Sequence, residues 1–154
     1  LQGQDKGKVK YEGCTIATEP EIKECEVAKT LETNQLKSHL ATATVQNKEQ
    51  IVDLFEPTGS SQTTAKSFII IKLTKCGVLS GAFEVTGSVV GQLIPQETES
   101  QKGILNFPEP SITEVTHEGQ KQKDKLSFGG NEATFTGVYQ QELQGKTPFG
   151  VKKT

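Results

Sequence analysis

Arginine, methionine and tryptophan are all missing from this chain of 154 residues. Arginine carries the planar guanidinium group that binds phosphate and carboxylate through two hydrogen bonds at once. Its absence argues against nucleotide, phosphoryl and nucleic-acid chemistry, although lysine still binds phosphate as a point charge. The net charge of -2 at pH 7 likewise argues against a nucleic-acid or membrane-surface partner.

Groups that catalysis could activate are scarce. The only histidines are His39 and His117, and neither has His, Cys or Asp neighbours at metal-ligand spacing, so we expect no metal site. Glu84 and Glu142 are the mid-strand carboxylates that a small hydrolase would need, but strand alternation places both on solvent faces. Phosphate-binding, dinucleotide-binding, calcium-loop and serine-hydrolase motifs are missing from the sequence. We therefore expect neither a catalytic site nor a cofactor.

Long hydrophobic runs are also lacking, and no stretch reaches the roughly 18 apolar residues of a membrane-spanning helix. The chain begins at Leu1 without a methionine, which favours a mature product whose leader has been removed; a start inside a longer protein is the alternative. Cys14 and Cys25 are close enough in sequence to close a short disulfide loop, and Cys76 is then left over. Cys76 is interpreted as a small buried side chain or a bond between chains. Together these features favour a secreted, extracellular or cell-surface protein.

What the sequence does contain is β-strand alternation. Residues 82–94 and 133–143 each alternate with a period of two, and the first has glycines on its apolar face, where we expect a bend, bulge or close approach. Residues 67–74 are apolar on both faces and predict a core strand. Residues 119–125 are interpreted as a solvated loop. About nine to eleven strands with frequent turns predict an all-β fold, a β-sandwich or jelly roll.

The N-terminal segment is interpreted as an arm, residues 1–12, ahead of a single domain at 13–154. A polar, glycine-rich terminus frays unless it pairs with its own sheet or lies on a neighbouring molecule. Strand addition needs little side-chain chemistry, and a head-to-tail contact that does not close gives filaments. The arm residues assigned to this contact are Lys6, Lys8, Val9, Lys10, Tyr11 and Glu12.

Three functions follow in order of preference. The first is a secreted structural subunit that assembles with other copies of itself by strand complementation, and an arm folded into its own sheet would argue against it. The second is a monomeric secreted binding module for carbohydrate or protein, which requires a concave face or a deep pocket. The third is a small hydrolase. The sequence does not identify a small-molecule ligand.

Three stretches carry a resemblance to a known group: LETNQLK at 31–37, VTGSVVGQLIP at 85–95 and FGGNEATFTG at 128–137. Together they resemble small secreted β-rich proteins of soil actinobacteria, a group without an assigned activity. The resemblance implies export and a β-fold, and it implies no reaction. The group usually has more chain and another cysteine ahead of the segment matching Gly13 and Cys14, which leaves Cys76 without an obvious partner and raises the question of a missing first strand.

Overall fold

The computed structural model describes residues 4–16, 25–58, 67–142, 145–146 and 148–151. Within these ranges the chain is all-β, with fifteen strands and one short 3-10 helix at Gly77–Leu79. The strands are β1 Gln4–Gly7, β2 Lys10–Glu12, β3 Glu26–Val27, β4 Thr30–Glu32, β5 Leu36–Val45, β6 Lys48–Pro57, β7 Ser67–Thr74, β8 Gly81–Gly87, β9 Val89–Ile94, β10 Lys102–Phe107, β11 Glu114–His117, β12 Gln120–Lys123, β13 Leu126–Phe128, β14 Asn131–Ala133 and β15 Gly137–Glu142. None of the described helices is long and apolar enough to span a membrane.

The strands form a β-sandwich-like structure of antiparallel sheets, which confirms the predicted fold class. The large sheet has eight strands in the order β12-β11-β5-β6-β9-β10-β15, with β1 also paired to β5. The small sheet has five strands in the order β14-β13-β8-β7-β3, and β2 and β4 form a separate pair. The strand count exceeds the prediction because several strands have only two or three residues and because two predicted strands are each divided.

The main core lies between the two sheets. Because side chains alternate across a strand, every second residue of the large sheet points toward the small sheet. Leu36, Leu93 and Leu105 from the large sheet pack in one buried cluster with Phe68 and Val85 from the small sheet. These side chains are almost fully buried, and removing such apolar surface from water is the main stabilising contribution of the sandwich.

A second buried cluster lies on the opposite face of the large sheet. Val52 and Leu54 of β6 are fully buried there, and Val90 of β9 joins them. Val115 of β11 and Ile112 just before it pack against these residues. The middle of β6 is therefore buried on both faces, which explains its continuous apolar run.

The two long strands predicted at 82–94 and 133–143 are each divided, so the prediction of single strands is wrong. The chain leaves the small sheet after β8, turns at Ser88, and enters the large sheet as β9. Residues 134–136 make the same crossing between β14 and β15. The expected glycine effect is confirmed at Gly87, which has a φ of 106° and whose missing Cβ would collide with the Lys125 carbonyl. Alternation continues across both crossings, and this continuity conceals them in the sequence.

Two further predictions need correction. Residues 119–125 are not simply a solvated loop, because β12 pairs with β11 in a hairpin. Glu118 and Gly119 at its turn both have positive φ, the geometry that suits a two-residue hairpin connection. The core strand β7 is buried at Phe68 and Ile69, but Ile70 is exposed because the register shifts between Ser67 and Ile69.

The N-terminal arm pairs within its own chain. Strand β1 pairs with β5 of the large sheet, and β2 pairs with β4. Between them, Val9 accepts a hydrogen bond from the Thr33 amide and donates one to the Thr33 hydroxyl, both 2.9 Å long. The Gln35 side chain donates to the Gly7 carbonyl, and Lys8 forms a 2.7 Å ion pair with Glu32. Pairing of β1 and β2 within the same chain is the arrangement that the sequence analysis named as an argument against strand complementation between copies.

The disulfide joins Cys25 to Cys76, so the predicted Cys14–Cys25 pairing is wrong. Strand β3 pairs with β7, and this long-range contact places the Cα atoms of Cys25 and Cys76 4.2 Å apart. All three cysteines lie in the described ranges, and Cys14 is the unpaired one, half-buried beside the β2–β4 pair. Proximity in sequence misled because strand pairing decides which cysteines meet.

We expect Cys76→Ser to lower the free energy of unfolding by about 2–4 kcal/mol, because the disulfide closes a long loop and restricts the unfolded chain. Cys25 and Cys76 are 51 residues apart in the sequence. The matched control Cys14→Ser should change stability by less than about 1 kcal/mol, since it removes no cross-link. Urea unfolding of both variants under non-reducing conditions measures the difference. Equal losses in the two variants would contradict the Cys25–Cys76 pairing.

Candidate functional site

A cleft of about 780 Å³ opens on the inner face of the large sheet. Its floor is formed by β5, β6, β9, β10 and β15, and its walls are residues 7–9 of the arm and residues 149–151 near the C-terminus. Within the described part of the chain, no residue of the small sheet lines it. This inner cleft therefore occupies the part of the inner face that the small sheet leaves uncovered.

Backbone hydrogen bonds hold both walls. The arm wall is held at Val9 by the two hydrogen bonds to Thr33. The C-terminal wall is held at Phe149, whose amide and carbonyl bond to Ser100 at 2.9 and 2.8 Å, and at Val151, whose carbonyl accepts from the Glu97 amide. The Phe149 ring lies directly over Gly103, where a Cβ would come within 2.9 Å of a ring carbon. Glycine at 103 thus lets the C-terminal wall approach the sheet.

A smaller aromatic chamber of about 190 Å³ lies beside the inner cleft, between the sheets. Val9, Leu36, Phe55 and Gln141 line both spaces, so the chamber adjoins the cleft. Three ring pairs around the chamber contact edge to face, a favourable arrangement for aromatic pairs, and among them Phe107 and Phe135 have centroids 4.7 Å apart. Phe135 and Tyr139 are stacked instead. The aromatic residues that line it are Phe55, Phe68, Phe107, Phe135 and Tyr139.

Polar groups around the two spaces are few. Ser38 and Asp53 project from β5 and β6 into the cleft, and Gln141 lies where cleft and chamber meet. Tyr11 packs edge to face on Phe135, with ring centroids 5.9 Å apart. The Tyr11 hydroxyl is buried and forms no hydrogen bond of good geometry with a described residue, although the Tyr139 side chain lies close enough to interact with it. Burial, and then the neighbouring Tyr139, raise the pKa of Tyr11 far above its ordinary value of 10.0.

The structure brings the two histidines together on the other face of the large sheet. Pairing of β11 with β5 places the rings of His39 and His117 with centroids 5.1 Å apart. His39 Nε2 lies 3.4 Å from a carboxylate oxygen of Glu56, and His117 Nδ1 lies 3.2 Å from the Leu40 carbonyl. Among the described residues, no group of three or more His, Cys, Asp or Glu side chains is placed to hold a metal ion. The pair is a structural contact between β5 and the β11–β12 hairpin.

The two carboxylates considered for hydrolysis do not form a site. Glu84 lies on β8 of the small sheet and Glu142 on β15 of the large sheet, and both are exposed. A second concavity, about 980 Å³, lies on the outer face of the large sheet under residues 108–116. Its floor carries the side-chain amides of Gln92 and Asn106, which bond each other, and Gln92 also donates to Gln50, so this concavity is more polar than the inner cleft.

The sequence analysis did not identify the inner cleft. Of its walls, only the arm residues Lys8 and Val9 were singled out, for assembly rather than for binding a ligand. Leu36, Leu93 and Phe55 look in sequence like ordinary core residues, because alternation distinguishes the two faces of a strand but not covered from uncovered parts of one face. Gly103 was the available signal, since a glycine inside a strand marks a close approach of other groups.

No protein-family model matches the chain, and neither curated proteins nor solved structures show significant similarity to it.

We expect Tyr11→Phe to change the free energy of unfolding at pH 7 by less than about 1 kcal/mol, because the buried hydroxyl forms no hydrogen bond of good geometry and has only the Tyr139 side chain as a weak polar neighbour. Above the ordinary tyrosine pKa the two proteins should differ. Because the pKa of Tyr11 is raised in the folded state, Tyr11 stays protonated there while it ionises in the unfolded chain. The contribution of Tyr11 to the free energy of unfolding is therefore complete below the ordinary tyrosine pKa and is lost as pH rises above it.

Urea unfolding of both proteins at neutral pH and at about pH 11 measures this difference. The wild-type protein should lose more free energy of unfolding than Tyr11→Phe over this pH interval. A loss of more than about 1 kcal/mol for Tyr11→Phe at pH 7 would show instead that the hydroxyl has a hydrogen-bond partner.

Proposed function

We propose that the protein binds a small, largely apolar molecule, with part of the ligand in the inner cleft and its most apolar part in the aromatic chamber. The observation that carries the proposal is that a mostly apolar cleft adjoins an aromatic chamber, with Val9, Leu36 and Phe55 lining both. Ligand sites are typically concave and mostly apolar, with a few polar groups that fix orientation and volumes of about 300–1,000 Å³. Both the size and the lining of the inner cleft fit that description.

The arrangement of polar groups supports an amphipathic ligand. Ser38 and Asp53 lie on the cleft floor rather than in the chamber, and Lys8 and Glu142 lie at the rim. The chamber is lined almost entirely by aromatic and aliphatic side chains. A ligand with an apolar end and a polar end would therefore bind with its apolar end inward, because burial of apolar surface is favourable and buried polar groups require partners.

Export is part of the proposal. The Cys25–Cys76 disulfide is compatible with an extracellular location, since disulfides persist in oxidising compartments. The proposed role is therefore that of a secreted binding protein, which shares export and binding, but not the monomeric state, with the second of the functions considered from the sequence. The proposed ligand is an apolar molecule rather than a carbohydrate or a protein, because the concave surface that best fits a ligand is lined mainly by hydrophobic side chains.

Assembly by strand complementation through the arm stays a prediction. It would require β1 and β2 to leave β5 and β4 and to pair with the equivalent strands of another copy. It would also break the hydrogen bonds of Val9 and Gly7 and open one wall of the inner cleft. The described contacts of the arm thus favour a role in shaping the cleft.

Binding can be tested with the neutral fluorophore phenylnaphthylamine, whose emission rises in apolar surroundings. We expect saturable binding at one site with a dissociation constant in the range of about 1–100 µM, typical of a modest apolar site. Leu40→Trp should reduce the affinity at least about tenfold, because Leu40 lines the cleft and a larger ring there fills the space. Isothermal fluorescence titration measures both proteins.

Leu79→Trp is the matched control, because Leu79 is 47% exposed on the 3-10 helix and does not line the cleft. It should bind the fluorophore like the wild-type protein. Circular dichroism and thermal melting verify that both variants fold. Unchanged binding by a folded Leu40→Trp variant would contradict the inner cleft as the site, and absence of saturable binding by the wild-type protein would contradict a general apolar site.

A further inference from the structure

The sheet edges of this molecule differ in how well they are protected against pairing with another strand. An edge strand presents unpaired N–H and C=O groups, and proteins protect such edges with lysine, proline, or very short strands. At one edge of the large sheet, β12 carries Lys121 and Lys123. The edge strands of the small sheet, β14 and β3, have only three and two residues. The edge strand β1 has four residues and includes Asp5 and Lys6.

Strand β15, at the other edge of the large sheet, lacks these protections. It has six residues, Gly137–Glu142, with no lysine or proline and a single charged side chain at its end. It pairs with β10 along its full length on one side. On its other side, no described residue forms a ladder with it. Its outward backbone groups therefore have no strand partner in the part of the chain that the structure describes.

Exposed apolar side chains lie next to this edge. Alternation with Leu93 and Leu105 of the main core directs Ile94 and Ile104 to the outer face of the large sheet, although both residues also border the inner cleft. Val138 of β15 is 68% exposed, and Ile104 and Ile94 are 40% and 38% exposed. Ile104 and Ile94 are direct cross-strand partners, and Val138 pairs with Asn106, two residues farther along β10. An added strand at β15 would bring side chains alongside Val138 and remove part of this apolar surface from water.

We propose that β15 pairs antiparallel with β15 of a second copy of this chain, joining the two large sheets across a two-fold axis. In a continuous sheet, residues opposite each other on neighbouring strands point to the same face. A register in which Gln140 lies opposite the second copy's Gln140 meets this requirement. In that register Val138 lies opposite the second copy's Glu142, and the two Gln140 side chains meet. The two Glu142 carboxylates lie at opposite ends, so no like charges oppose each other. A second copy is therefore an occupant that β15 accepts without opposed like charges, and pairing about a two-fold axis gives a closed dimer.

The dimer would also extend the candidate ligand site. Gln140, Gln141 and Glu142 form part of the rim of the inner cleft, so a strand added at β15 lengthens that side of the rim. This consequence for binding rests on the proposed function, whereas the dimer itself does not. The dimer is measured without ligand, so its absence would contradict the dimer and leave ligand binding untouched. Failure of ligand binding by a protein that still dimerises would contradict the proposed function alone.

Sedimentation-velocity ultracentrifugation without ligand tests the dimer. A six-residue strand pair buries less than a standard interface of about 1,600 Å², so we expect a weak, reversible dimer that becomes populated between about 10 µM and 1 mM. Gln140→Lys should raise its dissociation constant at least about tenfold, because the two-fold axis brings both introduced ammonium groups together on the edge. Val138→Thr should weaken it less, by removing apolar contact only.

Gln120→Lys is the matched control, since Gln120 is also an exposed glutamine on an edge strand and the change in net charge is the same. It should leave the dimer intact. Thermal melting confirms that all three variants fold. A wild-type protein that is monomeric up to about 1 mM, or equal weakening by Gln140→Lys and Gln120→Lys, would overturn the proposal. Assemblies larger than two copies that persist in Gln140→Lys would overturn it as well.

Discussion

The large sheet has a wider inner face than the small sheet covers, and the remaining structure depends on this mismatch. Eight strands face five, so part of an apolar surface lies open beside the main core. Residues 7–9 and 149–151 border that open surface without filling it. Residues 33–35 hold the arrangement together. Thr33 binds Val9, and Gln35 binds Gly7. Asn34 donates its backbone N–H to the Phe68 carbonyl and its side-chain amide to the Ser67 carbonyl, both on β7. One short segment thus joins the arm to both sheets.

The sequence predicted the fold class correctly because alternation is a local property, and local patterns define which face of a strand is apolar. It did not show that residues 82–94 and 133–143 cross between sheets, because the alternation continues through Ser88 and through residues 134–136. The Cys25–Cys76 pairing and the inner cleft escaped prediction for a related reason. Both depend on which strands become neighbours, β3 with β7 and the arm with residues 33–35, and strand order is not encoded in any single segment.

Two features of β15 connect the candidate site with the proposed dimer. Its inward residue Tyr139 lines the aromatic chamber, whereas its outward residue Val138 is exposed beside the unprotected edge. The buried Tyr11 hydroxyl, close to Phe135 and Tyr139, is a polar group in the same aromatic region that forms no hydrogen bond of good geometry with a described residue.

The central claim is that the space beside the core, on the inner face of the large sheet, receives an apolar ligand. Methyl-resolved NMR during titration with phenylnaphthylamine tests it most directly, because each face of the sheet carries its own methyl groups. We expect the largest shift changes for Val9, Leu36, Leu40 and Leu93, which line the inner cleft, and small changes for Val45 and Ile112, which pack on the opposite face. Changes confined to Val45 and Ile112, or no saturable change in any methyl signal, would contradict the account.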